Sequence, residues 1–340
     1  MINGALRPWG KPQWLLQLEP LRSEQWLLIG ALSTQDRCLA MLGHRNQSFN
    51  LGHAAFLEIS EKQSTFQELS NERRARNRER WRAETHGYSC ELLCYDLLDP
   101  VIRLQKQMAL WIDGPFRKSV ILDVSCLPER YFFPMLRWLL SSDQVENLII
   151  TCMSPERYTD EDLAYDPQEW AHIHTFAPVP GAPDSPIKRI VVGAGFLPFS
   201  LPEWLKKDYS KNDIQVSMLF PFPAPPANVK RSWEFVRQIE VGLPLRDERQ
   251  LVRVSANDMS GCFDRIEAIT RRGTLGTIFA PFGPKGHSIA MCLQAMKMDA
   301  QVLYTQPTYY HPEYTTGIKI EEGLPAGFAY AIRVNRQMFY

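Results

Sequence analysis

No apolar run in this 340-residue chain approaches the roughly 20 residues that a helix needs to cross a bilayer. The N-terminus carries Pro8, Pro12 and Trp14 instead of the charged and then apolar stretch of a signal peptide. Net charge is absent as well. Basic and acidic residues number 38 each, so no global field draws the chain to nucleic acid or to a membrane, although a local basic groove stays open. Seven scattered cysteines give an odd count with no CxxC pair, which excludes a disulfide framework and a zinc knuckle. Cys94, Cys152, Cys262 and Cys292 fall inside expected strands and helices and read as small core residues. These absences predict a cytoplasmic protein with no membrane partner.

Catalytic signatures are missing too. There is no GxSxG, no HExxH and no GxxxxGK[ST] spacing. His172 and His174 share one side of a possible strand, but no third ligand accompanies them, so no metal site is predicted and no cofactor is indicated. Asp123, at a strand end, reads as a cap in preference to a catalytic acid.

What the chain does have is strands alternating with helices of ten or more residues. That pattern predicts an α/β fold with mainly parallel sheets. The run Trp26 to Leu32 is continuously apolar, as in a parallel strand covered on both faces. A helix over Arg37 to Leu42, a strand over Ala54 to Ile59 and a helix over Thr65 to Glu84 follow. Next come strand Glu91 to Tyr95, helix Pro100 to Trp111, strand Ser119 to Val124, helix Tyr131 to Leu140 and strand Asn147 to Thr151. A proline-rich stretch, 155–187, marks a boundary. The same order of elements then restarts at Arg189 to Gly195 and runs to Thr305, with Phe328 to Val334 as a last strand, antiparallel at an edge. The matched order predicts two tandem Rossmann-like halves related by a pseudo-two-fold internal duplication, 1–154 and 188–340.

The strongest candidate site is Pro284-Lys285-Gly286-His287-Ser288, directly after a buried strand and at a helix start. Loops at the carboxyl ends of parallel strands are where open α/β sheets bind ligands, and a helix N-terminus offers N–H groups to an anion. The alternative is that Ser288 is an N-cap and the glycines serve only the turn. Gly193 and Gly195 begin like a dinucleotide fingerprint, but Pro198 stands where the third glycine belongs, so a tight ligand-facing loop is expected instead. Its first-half counterpart, Ser33, Thr34, Asp36 and Arg37, could line the same kind of cleft or merely cap a helix. Ser125 and Arg130 occupy the first-half position matching the Pro284 loop. Gln306 and Tyr309, with Tyr310 and His311 after the last core strand, could stack on a base or cover a hydrophobic shoulder. The arginines between 72 and 82 read as a solvated helix face with local ion pairs, with a nucleic-acid contact as the alternative.

This layout resembles the SAVED and CARF ligand-sensing domains of bacterial anti-phage systems. The resemblance covers roughly residues 26–334 and rests on the paired Rossmann-like halves and on the strand–loop–helix from Phe279 to Ala290. It implies a nucleotide or nucleotide-derived ligand bound at the strand-end clefts and coupled to an effector. No nuclease or other effector domain is visible in the sequence, which points to an effector in a separate chain or to a different function. A homo-oligomer is a further expected partner. The other functional class open to this sequence is an enzyme acting on a nucleotide or nucleoside in the same clefts.

Overall fold

The computed structural model describes residues 6–61, 64–178, 186–209, 214–224, 226–242 and 251–340. The chain divides into two compact units, Met1–Asp166 with Pro307–Tyr340, and Pro167–Gln306. Both are α/β with mostly parallel sheets.

In the first unit the elements run β1 (Trp9–Gly10), α1 (Pro12–Leu15), β2 (Gln25–Leu32), a 3-10 helix over Asp36–His44, β3 (Asn50–Ser60), α2 (Gln67–Glu84), β4 (Ser89–Asp96), α3 (Val101–Asp113), β5 (Ser119–Asp123), α4 (Glu129–Ser141) and β6 (Asn147–Met153). Five of these strands form a parallel core in the order β6-β5-β2-β3-β4. Trp26, Leu28, Ile29 and Leu32 of β2 are fully buried. A central strand covered on both faces needs apolar residues at every position, which is why the sequence shows no alternation there.

Short strands follow: β7 (Arg157–Tyr158), β8 (Ala164–Pro167) and β9 (Ala171–His172). The second unit continues with β10 (Ile187–Gly193), α5 (Leu201–Tyr209), β11 (Gln215–Pro221), α6 (Pro226–Gly242), β12 (Leu251–Val254), α7 (Met259–Ile269), β13 (Gly276–Pro281), α8 (Lys285–Met298) and β14 (Gln301–Tyr304). Its parallel core has the order β12-β11-β10-β13-β14, with β9 antiparallel at the β14 edge. Numbered within each unit, both parallel cores therefore read 3-2-1-4-5. Asp258 caps α7, its Oδ1 accepting from Gly261 N at 2.8 Å, in line with an Asp-started helix.

Three expectations need correction. The C-terminal segment does not close the second unit. β15 (Pro307–Tyr310) pairs with β8, β16 (Thr315–Thr316) pairs with β7, and a hairpin of β17 (Ile320–Glu321) and β18 (Leu324–Pro325) leads to β19 (Gly327–Val334) and β20 (Gln337–Met338). β19 lies antiparallel between β6 and β1 in the first sheet, with Ala329 opposite Thr151. It is an antiparallel strand as expected, but in the other sheet. Its apolar residues from Ala329 to Ile332 are buried there, a demand that a period-two reading cannot assign to one sheet or the other. The boundary of 188–340 gives way to 167–306 accordingly.

The stretch 155–187 is not a bare linker, because three short strands occupy it; prolines stop long elements but tolerate short edge pairings. Its residues 179–185 lie outside the described residues. The helix expected over Arg37 to Leu42 is there, as a 3-10 helix over Asp36–His44. Cys94 is exposed and Cys152 half-buried, whereas Cys262 and Cys292 are buried. Cys94 escapes the core because β4 is an edge strand.

Candidate functional site

Each parallel core reverses direction once, between its first and fourth strands, and open α/β sheets bind ligands at that crevice. In the first unit the crevice lies between β2 and β5, and the structure brings Ser33, Thr34, Asp36, Arg37 and Ser125 to it. The Ser125 hydroxyl donates to Asp123 Oδ1 at 2.5 Å and accepts from Met153 N at 2.7 Å. The buried Arg37 donates through Nη1 to Met153 O at 3.1 Å and through Nε to Gln35 Oε1 at 3.1 Å. Asp36 accepts from Gly317 N at 2.9 Å and from Arg76 at 2.9 Å, and Thr315 donates to Gln35 Oε1 at 2.8 Å. These side chains therefore tie the ends of β2, β5 and β6 to the C-terminal segment. The bonds that engage these side chains are all to the protein's own groups. Burial pushes the Asp123 carboxyl up to about 6, against the lowering effect of the Ser125 and Thr151 hydrogen bonds and of the Arg37 charge.

The corresponding crevice of the second unit lies between β10 and β13. A Cβ added to Gly193 would stand 3.0 Å from Gly283 N, and one on Gly195 only 1.9 Å from Phe282 O. The glycines expected to admit a ligand admit the neighbouring loop. Phe282 turns its ring into an aromatic cluster, 5.6 Å from Trp170 and 5.6 Å from Tyr304.

Helix α8 begins at Lys285, one turn earlier than a Ser288 cap would place it. Pro284 is its N-cap and supplies no side-chain hydrogen bond. Gly286, His287 and Ser288 are buried in the first turn, and Lys285 is half-buried. His287 Nε2 lies 3.1 Å from Ser255 O and donates to it. In the neutral ring Nδ1 is then an acceptor, and it is buried without a hydrogen-bond partner, as is the Ser288 hydroxyl. Burial lowers the His287 pKa to about 4, so the ring is neutral at pH 7. Buried orphan atoms of this kind are rare and call for an explanation.

The other predicted residues lie elsewhere. Arg130 donates to Asp99 O at 3.0 Å and steadies the turn between β4 and α3. Gln306 is the last residue of the second unit, whereas Tyr309 belongs to the first. There Tyr309 stacks on Tyr165 at 5.1 Å and meets Phe66 edge-on at 6.4 Å, so an aromatic partner is supplied by the chain.

The arginine-rich helix keeps a solvated face and buries one polar stripe. It packs with a polar face inward: Ser70, Arg74, Asn77 and Trp81 are buried. Arg73 pairs with Glu313, Arg74 with Glu61, Arg76 with Asp36, Arg78 with Glu58 and Arg82 with Glu79. Arg80 donates to Asn77 and to Asp36 O. The expected solvated face is there, with Arg76 and Arg82 more than half exposed and Arg82 in a local pair with Glu79. Among the arginines only Arg74 is buried, and an acid distant in sequence, Glu61, offsets the cost of burying its charge.

No family model matches the chain, and no curated protein matches it. Among solved structures it is similar to the cytoplasmic domain of a prokaryotic cation chloride cotransporter, across 84% of this chain and 96% of that one, at 10% identity and a TM-score of 0.25. A likeness of that size carries no argument. No helix among the described residues is long and apolar enough to cross a membrane, and no cluster of His, Cys, Asp and Glu among them could hold a metal ion.

Proposed function

We propose that the protein is a binding module that recognises a phosphate-containing ligand, a nucleotide or nucleotide derivative, at the N-terminus of α8, and passes that signal to a separate effector chain. Two Rossmann-like halves arising by internal duplication, as in SAVED- and CARF-like sensors of anti-phage systems, fit this reading, and the shared 3-2-1-4-5 strand order supports it. Cytoplasmic residence belongs to the same proposal. The observation that carries the site is the pair of buried, unpartnered atoms in the first turn of α8, His287 Nδ1 and Ser288 Oγ. A nucleotide complements both kinds of group present. Its phosphate accepts from first-turn N–H groups and Lys285, and a sugar hydroxyl donates to the neutral His287 Nδ1. Because both side chains are fully enclosed, a ligand reaches them by displacing the Phe282 to Pro284 loop. The reading differs from a symmetric sensor in giving the chain one site, since the first unit's crevice holds Arg37, Asp36 and Ser125 in internal bonds.

Calorimetric titration with a panel of linear and cyclic nucleotides tests this. Lys285→Ala is expected to weaken the binding of whichever nucleotide binds by roughly ten- to a hundredfold, the worth of a charge-assisted contact of about 1.5–3 kcal/mol, with the melting temperature barely changed. Unchanged affinity together with lost stability would mean that the loop is only a helix start.

A further inference from the structure

The two edges of the first sheet are built differently. One ends in β1, two residues long and flanked by Pro8 and Lys11, the kind of short, guarded edge that resists pairing. The other ends in β4, eight residues long and, among the described residues, bonded on one side only, to β3. β4 contains no proline and no lysine, and its register against β3 runs from Ser89 to Asp96 without a bulge. Proline, lysine and a bulge, three of the usual devices against edge pairing, are thus absent from it. Cys90 and Cys94 are exposed on one face of this strand, with Leu92 between them on the same face. On the opposite face Gln107 and Trp111 of α3 donate to Glu91, at 3.2 and 2.7 Å, and Arg103 lies over Tyr95. This flank of α3 therefore runs along the edge. Leu110, two turns after Arg103 and on the same line, is 66% exposed.

We propose that β4 pairs antiparallel with β4 of a second copy of this chain about a two-fold axis through Leu92. Charge and side-chain polarity together favour that register. It sets Glu91 opposite Leu93 and Asp96 opposite Tyr88 of the other copy, so neither acid faces an acid. An axis through Glu91 would place that carboxylate against its own counterpart, where like charges destabilise a pair, and one through Leu93 would set the Asp96 carboxylate against Cys90 in place of the facing thiols. The chosen register also sets Cys90 opposite Cys94 of the second copy, twice, as an isologous contact requires. The exposed Leu110 of each copy then flanks the joint and gains cover from the neighbouring α3.

Light scattering on the eluting protein, together with cross-linking, tests this. The wild type is expected to have the mass of two chains. Cys90→Lys/Cys94→Lys and Cys90→Glu/Cys94→Glu are each expected to dimerise at least tenfold more weakly, and an equimolar mixture of the two to restore the dimer. Copper phenanthroline, which takes two electrons and two protons from facing thiols, is expected to link a mixture of Cys90→Ser and Cys94→Ser but neither variant alone. Circular dichroism of each variant separates misfolding from lost pairing. A monomeric wild type, or charged variants that dimerise undiminished, would overturn the proposal, and so would efficient linking of Cys90→Ser by itself. A monomer that nevertheless binds an added peptide strand would assign the edge to a different partner and likewise refute a second copy.

Discussion

Replacing Arg74 with methionine should cost far more than replacing any other arginine of α2. The Arg74 and Glu61 side chains are 5% and 10% exposed and lie 2.7 Å apart, and Arg74 also donates to Asn71 at 2.8 Å. Arg74→Met leaves the Glu61 carboxylate buried without its cation, a change worth about 3–5 kcal/mol. Removing both charges with Arg74→Met/Glu61→Met should recover most of that loss, because two well-packed apolar side chains replace a desolvated pair. Acidification supplies a second signature. Burial raises the Glu61 pKa and Arg74 opposes the rise. The folded state thus holds this proton more tightly than the unfolded chain does. Stability from this group is greatest in acid and falls as pH climbs from the ordinary carboxylate value through the raised one. Without Arg74 the folded value rises further, so the deficit of Arg74→Met should shrink as pH falls toward 4.5. Urea unfolding followed by circular dichroism at pH 7.5 and pH 5 measures both effects. Arg82 pairs with Glu79 at the surface, and Arg82→Met should cost no more than about 1 kcal/mol. If Arg74→Met costs no more than that and ignores pH, α2 does not pack with its polar face inward.

Asp123→Asn should flatten one part of the pH profile: with a folded pKa near 6 against an ordinary 3.8, Asp123 costs about 3 kcal/mol above pH 6. That cost disappears as pH falls toward 4, so the variant should gain on the wild type in neutral solution and lose the gain in acid, as paired thermal melts would show. His287 titrates in the opposite sense. Depressed to about 4, it removes stability as pH falls below about 6.5, where the unfolded chain takes up the proton, and His287→Asn should lessen acid sensitivity between pH 6.5 and 4 in the same melts. Gly195→Ala drives a Cβ into Phe282 O and should destabilise the second unit by about 1–3 kcal/mol or more, lowering its calorimetric transition by several degrees; an unchanged transition would mean that the loops after β10 and β13 are not in contact.

Much of the parallel core was legible because buried strands such as β2, β5 and β13 are short, apolar and bounded by turn residues, and because α3, α4 and α7 carry a clear helical period. The placement of β19 was not, since an apolar strand shows that it is buried without showing which sheet it joins. The solvated face of α2 was legible from its charge density, but the burial of Arg74 was not, for a related reason: Glu58, Glu61, Asp36 and Glu313 are distant in sequence, and only the fold places them beside the helix. At the candidate site the strand–loop–helix after Thr277 was visible, as was its position at the carboxyl edge of a sheet. The burial of His287 was hidden, because histidine is as common at surfaces as in cores. The glycines at 193 and 195 read in the sequence as a tight loop facing a ligand. What approaches them is the backbone of Phe282 and Gly283, which no local pattern could disclose.

The central claim is that a nucleotide phosphate is held by the first turn of α8. Amide and imidazole nitrogen NMR on the intact chain, titrated with the nucleotide that binds most tightly, tests it most directly. The account predicts that the amides of Lys285 to Ser288 and the Nδ1 resonance of His287 shift together and saturate with the calorimetric affinity, while the Arg37 and Ser125 signals stay in place. Saturable binding that leaves the α8 signals unmoved would contradict it.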